Sequence, residues 1–416
     1  MSLNAKDEVK SSLANTVLIL SHDRAWSGVL GYDERSEEPV LLQRPPFLDC
    51  DEATLRAPRP ITDRDDVRTA QWLEERHGLT VTLQNVHSAI NTVAATHPFD
   101  RVRDYLDGLT WDGTRRLSEW TSRYLGTEST RYTRAVGRRW MVSAVARVFE
   151  PGCKADHVLV LEGKQGIGKS TALRILAGEE HFGDDIPPVG TKDAQQYLGS
   201  LWIVELAEMD AASKAEGSTM KRFLTTDTDR YRPPYGRRMV VHDRRCVFAG
   251  SVNLSAYLKD STGGRRFWPV RCETVDLPAL RQSRDDLWAE AVAAYRADES
   301  WYLDDPELIG LAEGEQRARL EHDPWHDKIA EYCAHPQRKF VTTAELLADA
   351  IQKDLAKTNK ADSNRVGAIM RTLGGWHYGE GDDRKRGWRH AERWNAATQP
   401  TEITQPTEKT RGDKAP

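Results

Sequence analysis

An α/β nucleotide-binding core, set between a helical domain and a smaller helix-and-hairpin module, is the fold the sequence predicts. Three observations carry it. From Asp156 onward the β-rich runs HVLVLEG, LWIVELAE and RRCVFAGSVN are bounded by turn signals, with a helical stretch between the first two. That alternation is the texture of parallel strands in an α/β core. The first run breaks into a glycine-rich turn ending on a lysine and two hydroxyl residues, and helical periodicity lies on both sides of the core.

In chain order, residues 1–61 join a short apolar run, TVLIL, to the prolines of QRPPF and APRP, and are expected to be a weakly specified extension. Residues 62–150 are expected to form a helical domain. Thr62 or Asp63 caps its first helix, whose apolar positions include Val67 and Trp72, and Arg131 to Phe149 continues the pattern. Residues 151–300 hold the core. Residues 301–394 begin helical at WYLDDPELIGLAEGEQRARLEHD and end as two helices and a basic hairpin, with Trp376 and His377 expected inside. The tail, 395–416, is rich in Thr, Pro, Lys and Glu and is expected to be disordered.

Composition narrows the function. The 416 residues are 39% apolar and 30% charged, and no run is long and apolar enough to span a membrane. The first residues lack the basic end and apolar stretch of a signal peptide, so a cytoplasmic location is expected. Five cysteines without CxxC spacing argue against a zinc ribbon. A net charge of −5 confines any nucleic-acid surface to a local basic patch.

Gly163, Lys164, Gln165, Gly166, Ile167, Gly168, Lys169 and Ser170 fit G-x-x-x-x-G-K-[ST] at every fixed position, with Thr171 following. The spacing suits ATP: glycines free backbone N–H groups to wrap phosphates, Lys169 bridges the β- and γ-phosphates, and the Ser170 hydroxyl ligates Mg2+. A neighbouring strand must supply a carboxylate, and LWIVELAEMD offers Glu205 and Glu208. An i, i+3 pair on a strand points to opposite faces, so one of them meets the nucleotide. Glu208, at the strand end, is favoured for metal and water; Glu205 is a supporting partner or a charge satisfied by an arginine. The third strand ends on Asn253, which suits either a hydrogen bond to water or the γ-phosphate or a turn-forming asparagine. Arg265 and Arg266 follow paired glycines in STGGRRFWPV and suit a guanidinium presented from a turn, or a surface pair stacked on Trp268.

Two segments are candidate DNA surfaces. DTDRYRPPYGRRMVVHDRRC crowds Arg230, Arg232, Arg237, Arg238, Arg244 and Arg245 around Tyr231 and Tyr235, as on a projecting hairpin. A solvated hairpin, or arginines serving nucleotide or a neighbouring subunit, is the alternative. Near the C-terminus, TTAELLADAI and SNRVGAIMRTLGGW have helix-turn-helix character, and Arg384, Lys385, Arg386 and Arg389 would form a basic wing. A subunit-packing domain fits that segment as well.

Together YLDGLTWDGTRRLSEW, PGCKADHVLVLEGKQGIGKST, LWIVELAEMD, DRYRPPYGRR, CVFAGSVN and DSTGGRRFWPV resemble the virulence-associated E family of P-loop ATPases from phages and mobile genetic elements. The resemblance spans about Val67 to Val270. It implies an AAA+-like fold related to superfamily 3 helicases; the C-terminal helix-turn-helix segment, outside that span, has the character of a winged-helix module. The resemblance further implies a ring, expected as a hexamer, that translocates on single-stranded or forked DNA during replication of such an element. Lys169 and Ser170 then match Walker A, Glu208 or Glu205 Walker B, Asn253 the sensor, and Arg265 or Arg266 an arginine finger, Arg266 first. Gly264 departs from the family by standing where a polar residue is expected. No zinc motif or acidic pair with a nearby histidine marks a primase, so priming would need a separate primase or phage replication protein. Other readings are an ATP-binding module that holds DNA or a replication protein without unwinding it, and a P-loop small-molecule kinase. The absence of N-K-x-D argues against a GTPase.

Overall fold

A computed structural model describes residues 9–47, 58–206, 214–232, 239–253, 257–258, 264–319, 323–381 and 384–398. The chain divides into two compact units at residue 320.

The first unit opens with α1 (Leu13–His22), β1 (Leu30–Asp33), β2 (Glu38–Leu41), β3 (Arg59–Pro60), α2 (Asp63–His77), α3 (Leu83–Ala94) and β4 (Pro98–Phe99). The strands form a sheet ordered β3-β2-β1-β4. Ile19, Leu20, Trp26, Leu30, Leu41, Leu73, Val86 and Ile90 share one apolar core, so the boundary expected at residue 61 runs through the middle of a packed body. Strands of four residues or fewer are too short for alternation to be visible in sequence. Thr62 does cap α2, and the Asp65 carboxylate accepts its backbone N–H at 2.8 Å. Trp72 packs against the core, but Val67 is 43% exposed.

Next come α4 (Arg101–Asp107), α5 (Trp120–Leu125), α6 (Arg131–Phe149), β5 (Val158–Glu162), α7 (Lys169–Ala177), β6 (Phe182–Gly183), α8 (Lys192–Gly199), β7 (Ile203–Leu206), α9 (Lys214–Thr225), β8 (Thr228–Tyr231), β9 (Val240–Asp243), β10 (Val247–Val252), β11 (Phe267–Arg271), α10 (Leu277–Arg296) and α11 (Pro306–Ala318). Five strands form a sheet ordered β11-β5-β10-β7-β6, every neighbouring pair parallel. Pro269 lies on β11, at the sheet's edge, where a missing N–H costs no ladder bond.

α6 belongs to this sheet rather than to a separate helical domain. Its Trp140 indole donates to the Phe248 carbonyl at 2.8 Å, and the Trp202 indole returns a bond to the Ala144 carbonyl at 2.9 Å. Both tryptophans are buried beside Leu159, Leu173 and Trp288. α11 also joins the core, with the Gln316 amide donating to the Phe267 carbonyl at 2.9 Å. The core thus runs past residue 300, where the sequence suggested it would end.

The second unit contains α12 (Pro324–Ala334), β12 (Phe340–Val341), α13 (Thr343–Glu345) running into a π-turn (Leu346–Ala350), α14 (Lys360–Thr372), β13 (Trp376–Glu380), β14 (Arg386–His390) and α15 (Ala391–Thr398). Its antiparallel sheet is ordered β12-β14-β13 and closes over Ile329, Leu346, Val366, Met370, Trp376 and Trp388. Trp376 is inside as expected, whereas His377 is exposed. Helix α15 occupies the start of the expected tail, and residues 399–416 lie outside the described residues.

Candidate nucleotide site

Strand β5 is fully buried and delivers the chain into the loop 163–168. Gly166 and Gly168 take positive φ of 80° and 97°, which a side chain would strain. Gly163 answers a close approach: a Cβ there would stand 2.5 Å from the Cys272 carbonyl oxygen. Gly168 is the N-cap of α7, so the backbone N–H groups of the first turn are open to an anion.

The side chains converge where three adjacent strands end. Lys169 Nζ donates to the carbonyls of Gly163 (2.8 Å) and Lys164 (2.9 Å), and to Asn253 Oδ1 (3.1 Å). The lysine is folded across its own loop. Burial holds its ammonium below the usual lysine range, and Cys272 and Glu205 partly offset that. The Ser170 hydroxyl donates to Glu205 Oε1 at 2.7 Å. Glu205 is only 2% exposed, and its Oε2 is buried without a hydrogen-bond partner among the described residues. A hydroxyl and a carboxylate with one spare oxygen are hard oxygen donors, the set a magnesium ion takes. Glu208 lies outside the described residues, so Glu205 is the described carboxylate that meets the loop serine.

Arg265 and Arg266 stand at the other end of the sheet. Phe267 pairs with Val158 and Arg271 with Glu162, so the arginines precede β11 beside the start of β5. A strand rises about 3.3 Å per residue, which puts them roughly 15 Å from their own loop. Arg265 is exposed, and Arg266 Nε lies 3.5 Å from Asp156 Oδ2. Trp268 is buried and stacks on His157, ring centroids 3.8 Å apart, rather than on either arginine.

A model of the virulence-associated protein E-like domain matches residues 106–320, just over half of the chain. The chain belongs to the virulence-associated protein E-like family. An apo structure of the NrS-1 C-terminal region is similar in fold, with TM-score 0.51 and 12% identity over 92% of this chain and 100% of that one. An A-form apo structure of the same region gives 0.50 and 12% over 90% and 98%. No curated protein matches the sequence.

In this family member, β8 and β9 pair antiparallel as a hairpin, with Tyr231 opposite Val240. Arg230 and Arg232 are exposed on it; Tyr235, Arg237 and Arg238 lie outside the described residues. Arg244 and Arg245, which the sequence offered as DNA contacts, are tied down. Arg244 is buried, with Nε 2.7 Å and Nη2 2.9 Å from the Asp229 carboxylate. Arg245 Nη1 reaches Asp100 at 3.0 Å and Glu34 at 3.2 Å. Arg384, Lys385 and Arg386 are exposed at the β13–β14 turn of the second unit. Arg389 lies beneath the Trp394 ring instead.

The sequence reading missed Arg319. It follows α11 and grips the end of the loop-bearing strand, Nη2 donating to Glu162 Oε2 at 2.7 Å and Nε to Oε1. Its carbonyl also accepts the backbone N–H groups of Tyr257 and Leu258, at 3.2 and 3.0 Å. Nothing local in the sequence couples residues so far apart.

Proposed function

We propose that the chain is an AAA+-like ring ATPase that spends ATP moving along single-stranded or forked DNA. One observation carries the reading: Lys169, Ser170, Glu205 and Asn253 meet at the C-terminal ends of adjacent parallel strands, while Arg265 and Arg266 sit at the opposite end. A nucleotide on the loop therefore sees half of a site. The missing positive charge comes from the next subunit, whose Arg266 faces the γ-phosphate across a head-to-tail contact; repeated around a closed hexameric ring, six such contacts form.

The residues divide the work. Lys169 exchanges its loop carbonyls for β- and γ-phosphate oxygens. Asn253, released from Lys169, orients the attacking water, and Glu208 polarises it. Ser170 and Glu205 hold magnesium, which supplies charge neutralisation between the phosphates when bound. The exposed Arg230 and Arg232 grip the DNA backbone together with Tyr235, Arg237 and Arg238, and hairpin movement carries the strand.

Steady-state ATPase assays with and without single-stranded DNA test this reading. Wild type is expected to be stimulated by DNA, and Lys169→Ala to lose about 100-fold or more. Turnover indifferent both to DNA and to Lys169→Ala would refute it.

A further inference from the structure

Helix α14 buries Asp362, Val366, Ile369 and Met370 against its unit. Its other face is exposed and carries Lys360, Ser363, Asn364, Ala368 and Arg371: short side chains in the middle and a cation at each end. Gly367 adjoins the sheet, since a Cβ there would stand 3.8 Å from the Trp388 ring. Trp388 meets Tyr378 edge to face, centroids 5.2 Å apart, and Tyr378 is 57% exposed. Tyr378 pairs with Trp388, and Glu380 with Arg386, so all four project from one side of the hairpin. The exposed Tyr378 ring, seated on the buried Trp388, thus shares one side of the hairpin with Arg386, next to the turn of Arg384, Lys385 and Arg386. The side chains of Lys360, Arg371, Arg384 and Arg386 make no ion pair or hydrogen bond among the described residues.

We propose that this surface binds double-stranded DNA, with α14 in the major groove and the turn on the flanking backbone. The groove is about 12 Å wide and admits a helix of about 10–12 Å only where its side chains are short. Ser363, Asn364, Gly367 and Ala368 meet that condition, and the amide of Asn364 has the donor–acceptor pair that matches an adenine edge. The free cations sit where phosphates would pass on either side. A single strand offers no such groove, and gripping its bases calls for successive exposed aromatics, of which this surface has one, Tyr378. The site extends the DNA-motor reading but is independent of the ATP site, so the two fail separately.

Fluorescence anisotropy on the full chain without nucleotide, across a salt series, decides it, using a short labelled duplex and its separated strand as probes. The duplex is expected to bind more tightly than the strand. Arg384→Ala with Arg386→Ala should weaken duplex binding about tenfold and flatten the log K against log salt slope by about two. Ala368→Glu, at an exposed position that tolerates the change, should weaken it at least as much by placing a negative charge in the groove. Lys169→Ala should bind duplex as wild type does, whatever its turnover. Duplex binding indifferent to Ala368→Glu or to loss of the two arginines overturns the proposal.

Discussion

At the scale of single residues, motif spacing singles out the loop at 163–168 but cannot rank the carboxylates. Which of two acids three residues apart faces the loop depends on strand register, and register is set by β10, a partner more than 40 residues downstream. Glu205, taken from the sequence as the lesser candidate, is bonded to Ser170, while Glu208 lies outside the described residues. Glu205→Gln keeps the shape and the bond to Ser170 but removes the charge that the proposed magnesium site requires. ATPase should fall about 100-fold, and magnesium-nucleotide should no longer raise the thermal midpoint as it does for wild type. An unchanged magnesium response would remove Glu205 from the metal site. His157 makes a separate prediction. Burial, with help from nearby Arg147, pushes its pKa down to about 3. The folded state therefore resists a proton that the unfolded chain takes up near pH 6.5, and between those values the unfolded state binds more protons. Stability is fully present above about pH 6.5 and is lost as pH falls, at about 1.4 kcal/mol per unit. Urea midpoints at pH 7 and pH 5 should differ by about 2 kcal/mol more in wild type than in His157→Phe, which keeps the stack on Trp268.

At the scale of elements, the arginine-rich segment shows why composition overstates a binding surface. The β8–β9 hairpin was legible from its turn residues, yet its arginines have opposite fates. Arg230 lies on the outward side, opposite Val241, and both are exposed. Arg244, just past the hairpin, is buried against Asp229 and lies 4.5 Å over the Phe223 ring. Sequence cannot separate the two kinds because burial here comes from α9, which packs from elsewhere in the chain. Removing one partner of a buried pair leaves an uncompensated charge, so Arg244→Met should cost about 3–5 kcal/mol of stability in a denaturant titration. Arg244→Met with Asp229→Leu should recover most of that loss. Arg230→Ala with Arg232→Ala should leave the denaturant midpoint within about 0.5 kcal/mol of wild type and instead weaken single-strand binding in a salt-dependent way. If Arg244→Met unfolds no more easily than the outward pair, the assignment of structural and DNA-facing arginines is reversed.

At the scale of the whole molecule, the order of core, helices and C-terminal module was readable, and the boundaries were not. Packing joined residues 9–94 into one body, drew α6 and α11 onto the parallel sheet, and left the division at residue 320, because tryptophans such as Trp140 and Trp202 bond across segments that look independent in sequence. The same sheet sets the geometry that a ring would exploit, with the phosphate loop at one end of β5 and Arg266 at the other. A subunit built this way cannot bring both to one nucleotide, so two defective subunits should complement each other. Lys169→Ala lacks a working loop but keeps its arginine; Arg266→Ala has the reverse defect. In DNA-stimulated turnover Lys169→Ala alone should fall by about 100-fold or more, and Arg266→Ala alone by about 1,000-fold or more. Mixed in equal amounts and allowed to exchange, they form some interfaces with an intact loop from one subunit and an intact arginine from the next. Random mixing makes that about a quarter of the head-to-tail contacts, and turnover should recover toward that fraction of wild type. An arginine acting on its own subunit's nucleotide predicts no recovery at any ratio, since no single chain in the mixture carries both groups.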